Sequence, residues 1–490
     1  MVPGFDETPR SVIIDGVKIE MKFYLSGQWQ NRPHSMDVVN PGTGETVDTV
    51  PVGTFDDVED ALRSAVKGAK VMAALPCYER FEILRRTADL LLIHRDRIAR
   101  TISMEEGKTI REATAEVERS AQTVELCGEE AKRLGGEVLP LEGGKGVVQK
   151  LGFTLRVPCG VVAAITPFNF PLNLVCHKVG PALAGGNAVI LKPASDTPLV
   201  SLQLVELLLE AGLPPLAISC ITGGGRDICE PLCRDKRVRK VSFTGSQLVG
   251  EQICRVAGIK RVTMELGSNS PLIVLPDADL DKVADAVVLS GFSNAGQVCI
   301  SAQRLIAVDE IHDALLEKVV PRIRSIRSGD QLDDATDMGP MVRSVDAGRV
   351  HTWIEEAVEQ GAKIACGGER DGAFMEPTLI VDSTPEMRIV KEELFGPGVA
   401  MSRATTVDDA IRMAGESDFG LSAGVFTQNI DAAVRFAREL HSGNIHINGG
   451  PMWRTDSMPY GGLKDSGLGK EGPKYAIDEM TEMKSVVIHS

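Results

Sequence analysis

Aromatic residues are scarce. Phe, Trp and Tyr together make up 4% of the 490 residues, too few for a platform that stacks nucleic-acid bases. Basic residues are outnumbered as well, 53 Lys and Arg against 68 Asp and Glu. The formal charge of −15 argues against nucleic acid or an anionic membrane as the main partner. An anionic small substrate stays open, because a local cluster of arginines overrides the global sign. No stretch approaches the roughly 20 apolar residues that cross a bilayer. The opening MVPGFDETPRSVIIDG carries Asp6 and Glu7 and lacks an apolar signal core, so a cytoplasmic protein is expected. The 10 cysteines fall short of the density of a secreted disulfide scaffold and read as mostly reduced thiols. The 8 histidines are scattered, and no Cys/His cluster has zinc spacing. Cys229 and Cys233 have only each other nearby and read as helix packing. No metal is expected.

What remains is an ordinary globular composition, 43% hydrophobic and 25% charged, with length for two to four domains. The start is strand-rich, with FYLSGQW, the turn NPGTGE at 40–45 and TVDTVPVG. From about Phe55 the residues Val58, Ala61, Leu62, Ala65 and Val66 share one helical face. A second helix is predicted from Glu79 to Glu106 and a third from Lys108 to Leu134, stopped by Gly135-Gly136. Alternating apolar runs over 136–157 predict a hairpin. Between 160 and 275 short aliphatic runs recur: VVAAI at 161–165, AVIL at 188–191, ISCIT at 218–222, KVSF at 240–243 and RVTM at 261–264. Helical material separates them, most clearly at 199–212. Strands spaced by helices indicate βαβ units and a doubly wound parallel sheet. A second α/β section runs from about Pro271 to Ile447, and the end carries the glycine-rich PYGGLKDSGLG and the strand-like SVVIH. The architecture expected is two α/β domains with a small strand-built extension.

Ligands of doubly wound sheets bind at the carboxyl ends of the strands, and the residues that follow these runs can carry chemistry. VVAAI leads into Thr166, Pro167, Phe168, Asn169, Phe170 and Pro171, where the prolines keep the chain out of helix. Asn169 can aim its amide into a site, or serve only as a turn residue. AVIL leads into Lys192, Pro193, Ala194 and Ser195. The lysine suits a ribose hydroxyl or phosphate, or is a solvated strand end. KVSF leads into Thr244, Gly245 and Ser246, then a helix whose free N–H groups can bind a pyrophosphate. The G-x-G-x-x-G fingerprint is absent here. RVTM leads into Glu265, Leu266 and Gly267, and Glu265 is either a base or a solvated carboxylate. Cys299 lies among small and polar residues in Asn294-Ala295-Gly296-Gln297-Val298-Cys299, as an accessible thiol or an inert core cysteine.

Taken together, Phe168-Asn169-Phe170-Pro171, Lys192-Pro193, Phe243-Thr244-Gly245-Ser246, Glu265-Leu266-Gly267 and Gly296-Gln297-Val298-Cys299 resemble the aldehyde dehydrogenase superfamily. So do Glu393-Leu394-Phe395-Gly396-Pro397 and Pro459-Tyr460-Gly461-Gly462-Leu463-Lys464-Asp465-Ser466-Gly467. The resemblance covers nearly the whole chain. It implies a Rossmann-like cofactor domain (1–135 and 158–267), an α/β catalytic domain (268–455), and bridging or oligomerisation segments (136–157 and 456–490). It also implies a homo-oligomer, dimer or tetramer.

By that resemblance Cys299 attacks the aldehyde carbonyl, and the Asn169 amide and the Cys299 backbone N–H hold the oxyanion. Losing such a donor typically costs about 10²–10³ in rate. Hydride leaves to the nicotinamide, and Glu265 activates the water that hydrolyses the thioester. Lys192 would bind the adenosine ribose, and Ser246 the pyrophosphate near Gly225, Gly245 and Val249. Phe243 and Leu266 would line the cofactor cleft, Glu393 would hold the nicotinamide ribose, and Phe395 would pack nearby. Thr166, Pro167 and Phe168 would border the pyrophosphate and nicotinamide end. NAD-preferring members often carry an acidic residue where this chain has Ser195. A serine removes the repulsion of a 2′-phosphate, so NADP⁺ is expected, with NAD⁺ tolerated.

Arg454 matches the aldehyde entrance of the family, together with Trp453 and Phe170, and Arg119 lies on a helix bordering the same tunnel. Two converging arginines would clamp a carboxylate, sulfonate, phosphonate or phosphate. The Arg-x-Asp-x-Met-Pro-Tyr-Gly-Gly stretch resembles the lactaldehyde, phosphonoacetaldehyde and non-phosphorylating glyceraldehyde-3-phosphate dehydrogenases, and a moss and algal group linked to succinic semialdehyde. Val298 and Phe170 stand where the phosphonoacetaldehyde enzymes have basic residues, so a monoanionic carboxylate fits better, and succinic semialdehyde leads. Glu265 argues against a CoA-acylating relative, which typically lacks it. Cys299 and Glu265 together argue against a structural or simple nucleotide-binding protein.

Overall fold

The run Val161–Ile165 is buried along its whole length, as a strand covered on both faces must be. In the computed structural model, which describes residues 13–14, 17–18, 22–146 and 150–489, it stands in the middle of an eight-stranded sheet. That sheet contains β1 (Phe23–Leu25), β2 (Gln28–Gln30), β3 (Val161–Ile165), β4 (Ala188–Lys192), β5 (Ile218–Cys220), β6 (Val238–Thr244) and β7 (Arg261–Glu265). Gly467–Leu468 closes one edge, and the order from there is β7-β6-β3-β4-β5-β1-β2. The strands β7, β6, β3, β4 and β5 are parallel. The chain winds outward from β3 to β5, then returns to β3 and winds the other way through β6 and β7. The crevice between the carboxyl ends of β3 and β6 is therefore the topological switch point, where such sheets bind ligands.

A second sheet of seven strands is built from Pro271–Val274 to Asn444–Ile447. Its strands are parallel except for Lys363–Cys366 at one edge. The chain is thus mixed α/β with two mostly parallel sheets, each with its own apolar core.

The helix expected from Phe55 is α1 (Phe55–Ala74), opened by a Thr54/Asp57 capping box. The helix expected from Glu79 to Glu106 is two, α2 (Cys77–Ile93) and α3 (Arg95–Glu106), broken at His94 with ψ 17°. No Gly or Pro marks the break; it lets both helices pack against α4 (Ile110–Ala131). A Thr109/Glu112 capping box starts α4 two residues later than expected. The helix ends at Ala131, short of the expected Leu134 and of Gly135-Gly136; Gly136 serves a close approach instead, because a Cβ there would lie 1.8 Å from the Thr154 carbonyl oxygen.

Val138–Leu139 pairs antiparallel with Lys150–Pro158, which pairs in turn with Thr481–His489. The part of the hairpin at 147–149, and the leader reading of residues 1–12, lie outside the described residues. The C-terminal segment does more than extend an arm: Leu463–Lys464 pairs with Phe419–Gly420, and Gly467–Leu468 with Met264 and Glu265. Among the described residues no helix is long and apolar enough to cross a membrane. Cys229 and Cys233 are free thiols on one helix.

Candidate active site

Three consecutive left-handed residues lead into Cys299. Helix Leu280–Phe292 is followed by Asn294, Ala295 and Gly296 with φ of 50°, 51° and 68°. A non-glycine residue pays roughly 1–2 kcal/mol for that backbone, so neighbours must hold the turn. Asn294 N donates to Glu112 Oε1 (2.8 Å), and its Nδ2 donates to Glu106 Oε1 (2.9 Å) and the Asn169 carbonyl (3.1 Å). At Gly296 a Cβ would lie 2.1 Å from the Gly396 carbonyl oxygen, so only glycine fits. Beyond the turn Cys299 is half-buried, with Sγ 3.1 Å from the Tyr460 hydroxyl. Burial pushes its thiol up to about 12.

Asn169 lies four residues past β3, and its Nδ2 donates to the Gln297 carbonyl (2.8 Å) in the loop that carries the cysteine. Its backbone is pinned from behind. Buried Lys108 donates to the Asn169 carbonyl (2.8 Å) and to Glu116 Oε2 (2.6 Å), while Glu116 Oε1 accepts from Leu172 N and Asn173 N. Glu265, at the end of β7, is buried with neither carboxylate oxygen hydrogen-bonded among the described residues. Burial and the Glu471 charge push its carboxyl well above the ordinary range. An orphaned buried carboxylate with a raised pKa is what a general base needs. Lys178 stands behind it, donating to Glu471 Oε1 and Thr244 Oγ1, both at 2.7 Å.

Most of the residues matched to a dinucleotide lie at or just past the carboxyl ends of strands in the first sheet. Thr166, Pro167 and Phe168 follow β3, Lys192 ends β4, and Gly245 and Ser246 follow β6, which contains Phe243. Thr166 Oγ1 is buried without a hydrogen-bond partner among the described residues, and Lys192 is buried, its amine pKa lowered by desolvation. Ser195 Oγ donates to the Gly223 carbonyl (2.9 Å). A Cβ on Gly245 would lie 2.6 Å from the Phe243 ring. Ser246 precedes Gln247–Ala257 without capping it through its side chain, so first-turn N–H groups are free for an anion. Leu266 packs under that helix at Gly250. Glu393 reaches across from the second sheet, where its Oε1 accepts from Ser268 N (2.8 Å) and burial raises its carboxyl to about 7. Phe395, at φ 48°, meets Phe168 edge-on at 5.8 Å. Gly225 and Val249 are both exposed.

Arg119 and Arg454 line one cavity of about 240 Å³ together with Cys299, Lys108, Phe170 and Met452. Arg119 is held by Asp456 through Nη2 (2.6 Å) and Nε (3.1 Å). Arg454 is buried over the Tyr460 ring, with Nη2 3.5 Å from Glu471 and Nε lacking a hydrogen bond among the described residues. His177 and Thr123 also bond Asp456 (3.0 and 2.9 Å). Despite burial, His177 and Arg119 hold the Asp456 carboxyl well below the usual range. Trp453 needs correction: it is 62% exposed with its ring against His446, and Met452 takes the wall instead. Sequence reasoning left Asp456, His177, Lys178 and Glu471 without roles, and quoted Tyr460 without one. Only the dense Pro-Tyr-Gly-Gly stretch signalled the tyrosine.

The sequence profile of the aldehyde dehydrogenase family matches residues 29–486. The 3-sulfolactaldehyde dehydrogenase of Priestia aryabhattai is 46% identical, over 95% of this chain and 97% of that protein. Aldehyde dehydrogenase 21 of Physcomitrella patens, solved with the reaction product succinate, superposes with a TM-score of 0.93 at 37% identity, covering 96% of this chain and 98% of that one. The glyceraldehyde-3-phosphate dehydrogenase of Methanocaldococcus jannaschii, complexed with NADP, gives 0.90 at 36%, covering 94% and 100%.

Proposed function

The chain belongs to the aldehyde dehydrogenase family, NAD(P)-dependent oxidoreductases of aldehydes, and we propose from that premise that it oxidises a short anionic aldehyde to the acid with NADP⁺. The observation that carries this reading is the shared cavity of Arg119, Arg454 and Cys299. Cys299 is the nucleophile. The Asn169 amide, turned from the Gln297 carbonyl, and the Cys299 N–H receive the oxyanion. Glu265, without a fixed partner among the described residues, takes as a carboxylate the proton of the water that attacks the thioester, and its raised pKa makes it the stronger base.

The crevice fits a dinucleotide. The unpartnered Thr166 Oγ1 and the uncapped helix after Ser246 suit its phosphates, and the lack of a carboxylate at Ser195 suits a 2′-phosphate beside Lys192. Glu393 would hold the nicotinamide ribose. When bound, the nicotinamide supplies the hydride acceptor.

A terminal sulfonate or carboxylate would pair with Arg454, whose Nε needs an acceptor, and with Arg119. The 46% identity with a 3-sulfolactaldehyde dehydrogenase supports a sulfonate ahead of the carboxylate of succinic semialdehyde, with lactaldehyde and glyceraldehyde 3-phosphate behind both. Initial rates with 3-sulfolactaldehyde, succinic semialdehyde, lactaldehyde and propanal, each with NADP⁺ and NAD⁺, test this. Higher kcat/KM for the two anions with NADP⁺ is expected. Equal turnover of propanal would sink the anion clamp, and a preference for NAD⁺ would sink the Ser195 argument. Exposed Leu151, Leu155, Met483 and Ile488 on the outer strands support self-association, which light scattering would read as a dimer or tetramer.

A further inference from the structure

One group on the nucleophile has no part in the chemistry above. The Tyr460 hydroxyl lies 3.1 Å from Cys299 Sγ, and no other side chain of the described residues is within hydrogen-bond reach of that sulfur. The contact is built, not incidental. Tyr460 is 3% exposed and sits in an apolar cluster with Val298, Ile300 and Leu421. Its backbone exchanges hydrogen bonds with Glu471, Tyr460 N to Glu471 O at 3.1 Å and Glu471 N to Tyr460 O at 2.7 Å. The Arg454 guanidinium lies over the ring, 3.7 Å from its centroid.

The direction of the bond follows from chemistry. A thiolate has no proton to donate, so across the thiol's ionisation the phenol must be the donor. Burial and the neighbouring thiol keep the phenol protonated far beyond the ordinary range. A cation on its face draws density from the ring, which strengthens the O–H as a donor. Among the other charged groups, Glu265 and Glu393 oppose a thiolate at Cys299 and Arg454 favours one, while Lys108, Glu112, Glu116 and Arg119 line the same cavity. Those facing Tyr460 are Glu265 and Arg454. Tyr460 is the one among them that touches sulfur.

We propose that Tyr460 is a further catalytic residue, a hydrogen-bond donor that stabilises and aims the Cys299 thiolate while keeping its own proton. The proposal rests on the reading of Cys299 as nucleophile.

The test is a pH titration of Cys299 in the NADP⁺-loaded protein. It is followed as iodoacetamide alkylation, with the Cys299 peptide quantified by mass spectrometry, and as thiolate ultraviolet absorbance against a Cys299→Ser control. Tyr460→Phe keeps the ring and removes only the oxygen. A charge-assisted hydrogen bond of ordinary strength predicts a midpoint about one pH unit higher and alkylation about tenfold slower at neutral pH. An unmoved or lowered midpoint overturns the proposal. A second measurement avoids any folding defect: wild-type sequence carrying 3-fluorotyrosine at its 4 tyrosines has more acidic phenols, and its Cys299 midpoint should fall. No fall overturns the proposal equally. The two readings separate cleanly. Alkylation of Cys299 that leaves turnover intact refutes the nucleophile itself. Alkylation that abolishes turnover, with a midpoint indifferent to Tyr460, refutes only the donor role.

Discussion

Gly461 makes room for Glu265. A Cβ on Gly461 would lie 2.7 Å from Glu265 Oε1, and its φ of 155° disfavours any side chain. A side chain at that position would crowd the carboxylate to which the proposed mechanism gives the activation of water. Glu265→Gln is expected to give a burst of reduced cofactor followed by a steady state slowed about 10²–10⁴-fold. Gly461→Ala should slow the same phase less. Stopped-flow absorbance distinguishes them, and a steady-state rate left unchanged by Glu265→Gln would remove the residue from the mechanism.

Arg119 and Arg454 reach the cavity from separate parts of the chain, and each holds a charge the substrate anion can use. Arg454→Met should raise KM for the anionic aldehyde about 10- to 100-fold, the scale of a lost charged hydrogen bond, with little change for propanal. Arg119→Met should act in the same direction and less strongly, since Asp456 already engages that guanidinium. A parallel loss for both aldehydes would mean that the arginines only support the wall.

Ser195→Asp introduces a carboxylate three residues after Lys192. Repulsion of a 2′-phosphate predicts a fall of about 100-fold in kcat/KM for NADP⁺, with NAD⁺ unchanged or improved. Cofactor titrations at saturating aldehyde check it, and an equal fall for both would refute the assignment.

Asp456 is buried and accepts from Arg119, His177 and Thr123. Although burial opposes it, His177 and Arg119 hold its folded-state pKa below the unfolded value. Its contribution is therefore complete above the ordinary carboxylate range of about 4 and is lost as pH falls toward the depressed native value. Asp456→Asn should cost about 3–5 kcal/mol at neutral pH, the scale of breaking a buried charged cluster, and flatten the acid limb of the melting curve. Thermal melts from pH 7 to 3 on both proteins decide it.

The parallel sheet was readable because short, largely apolar runs alternate with helical stretches, the pattern of βαβ units. The break at His94 was not, since neither Gly nor Pro stands there and the packing of α2 and α3 on α4 supplies the reason. Glu265 and Asn169 were legible at or just past strand ends and Cys299 by the resemblance of its motif, whereas their surroundings were not. Asp456 holds Arg119 across 337 residues, a separation that no local pattern spans. Trp453 was misjudged for a geometric reason. Neighbours on a chain segment outside helix face opposite ways, so Arg454 turning inward sends Trp453 to solvent.

The segment that carries Tyr460, Gly461 and Glu471 also pairs with the first sheet through Gly467–Leu468, and through Leu463–Lys464 with Phe419–Gly420, which stands just before a strand of the second. The nucleophile and the tyrosine that touches it are 161 residues apart. At about 5–20 residues per second on the ribosome, the reactive thiol emerges roughly 8–30 s before the hydroxyl that meets it. For that interval the nascent chain has its cysteine but no closed pocket around it. The wall of the pocket that meets the nucleophile is thus supplied by a segment translated well after it.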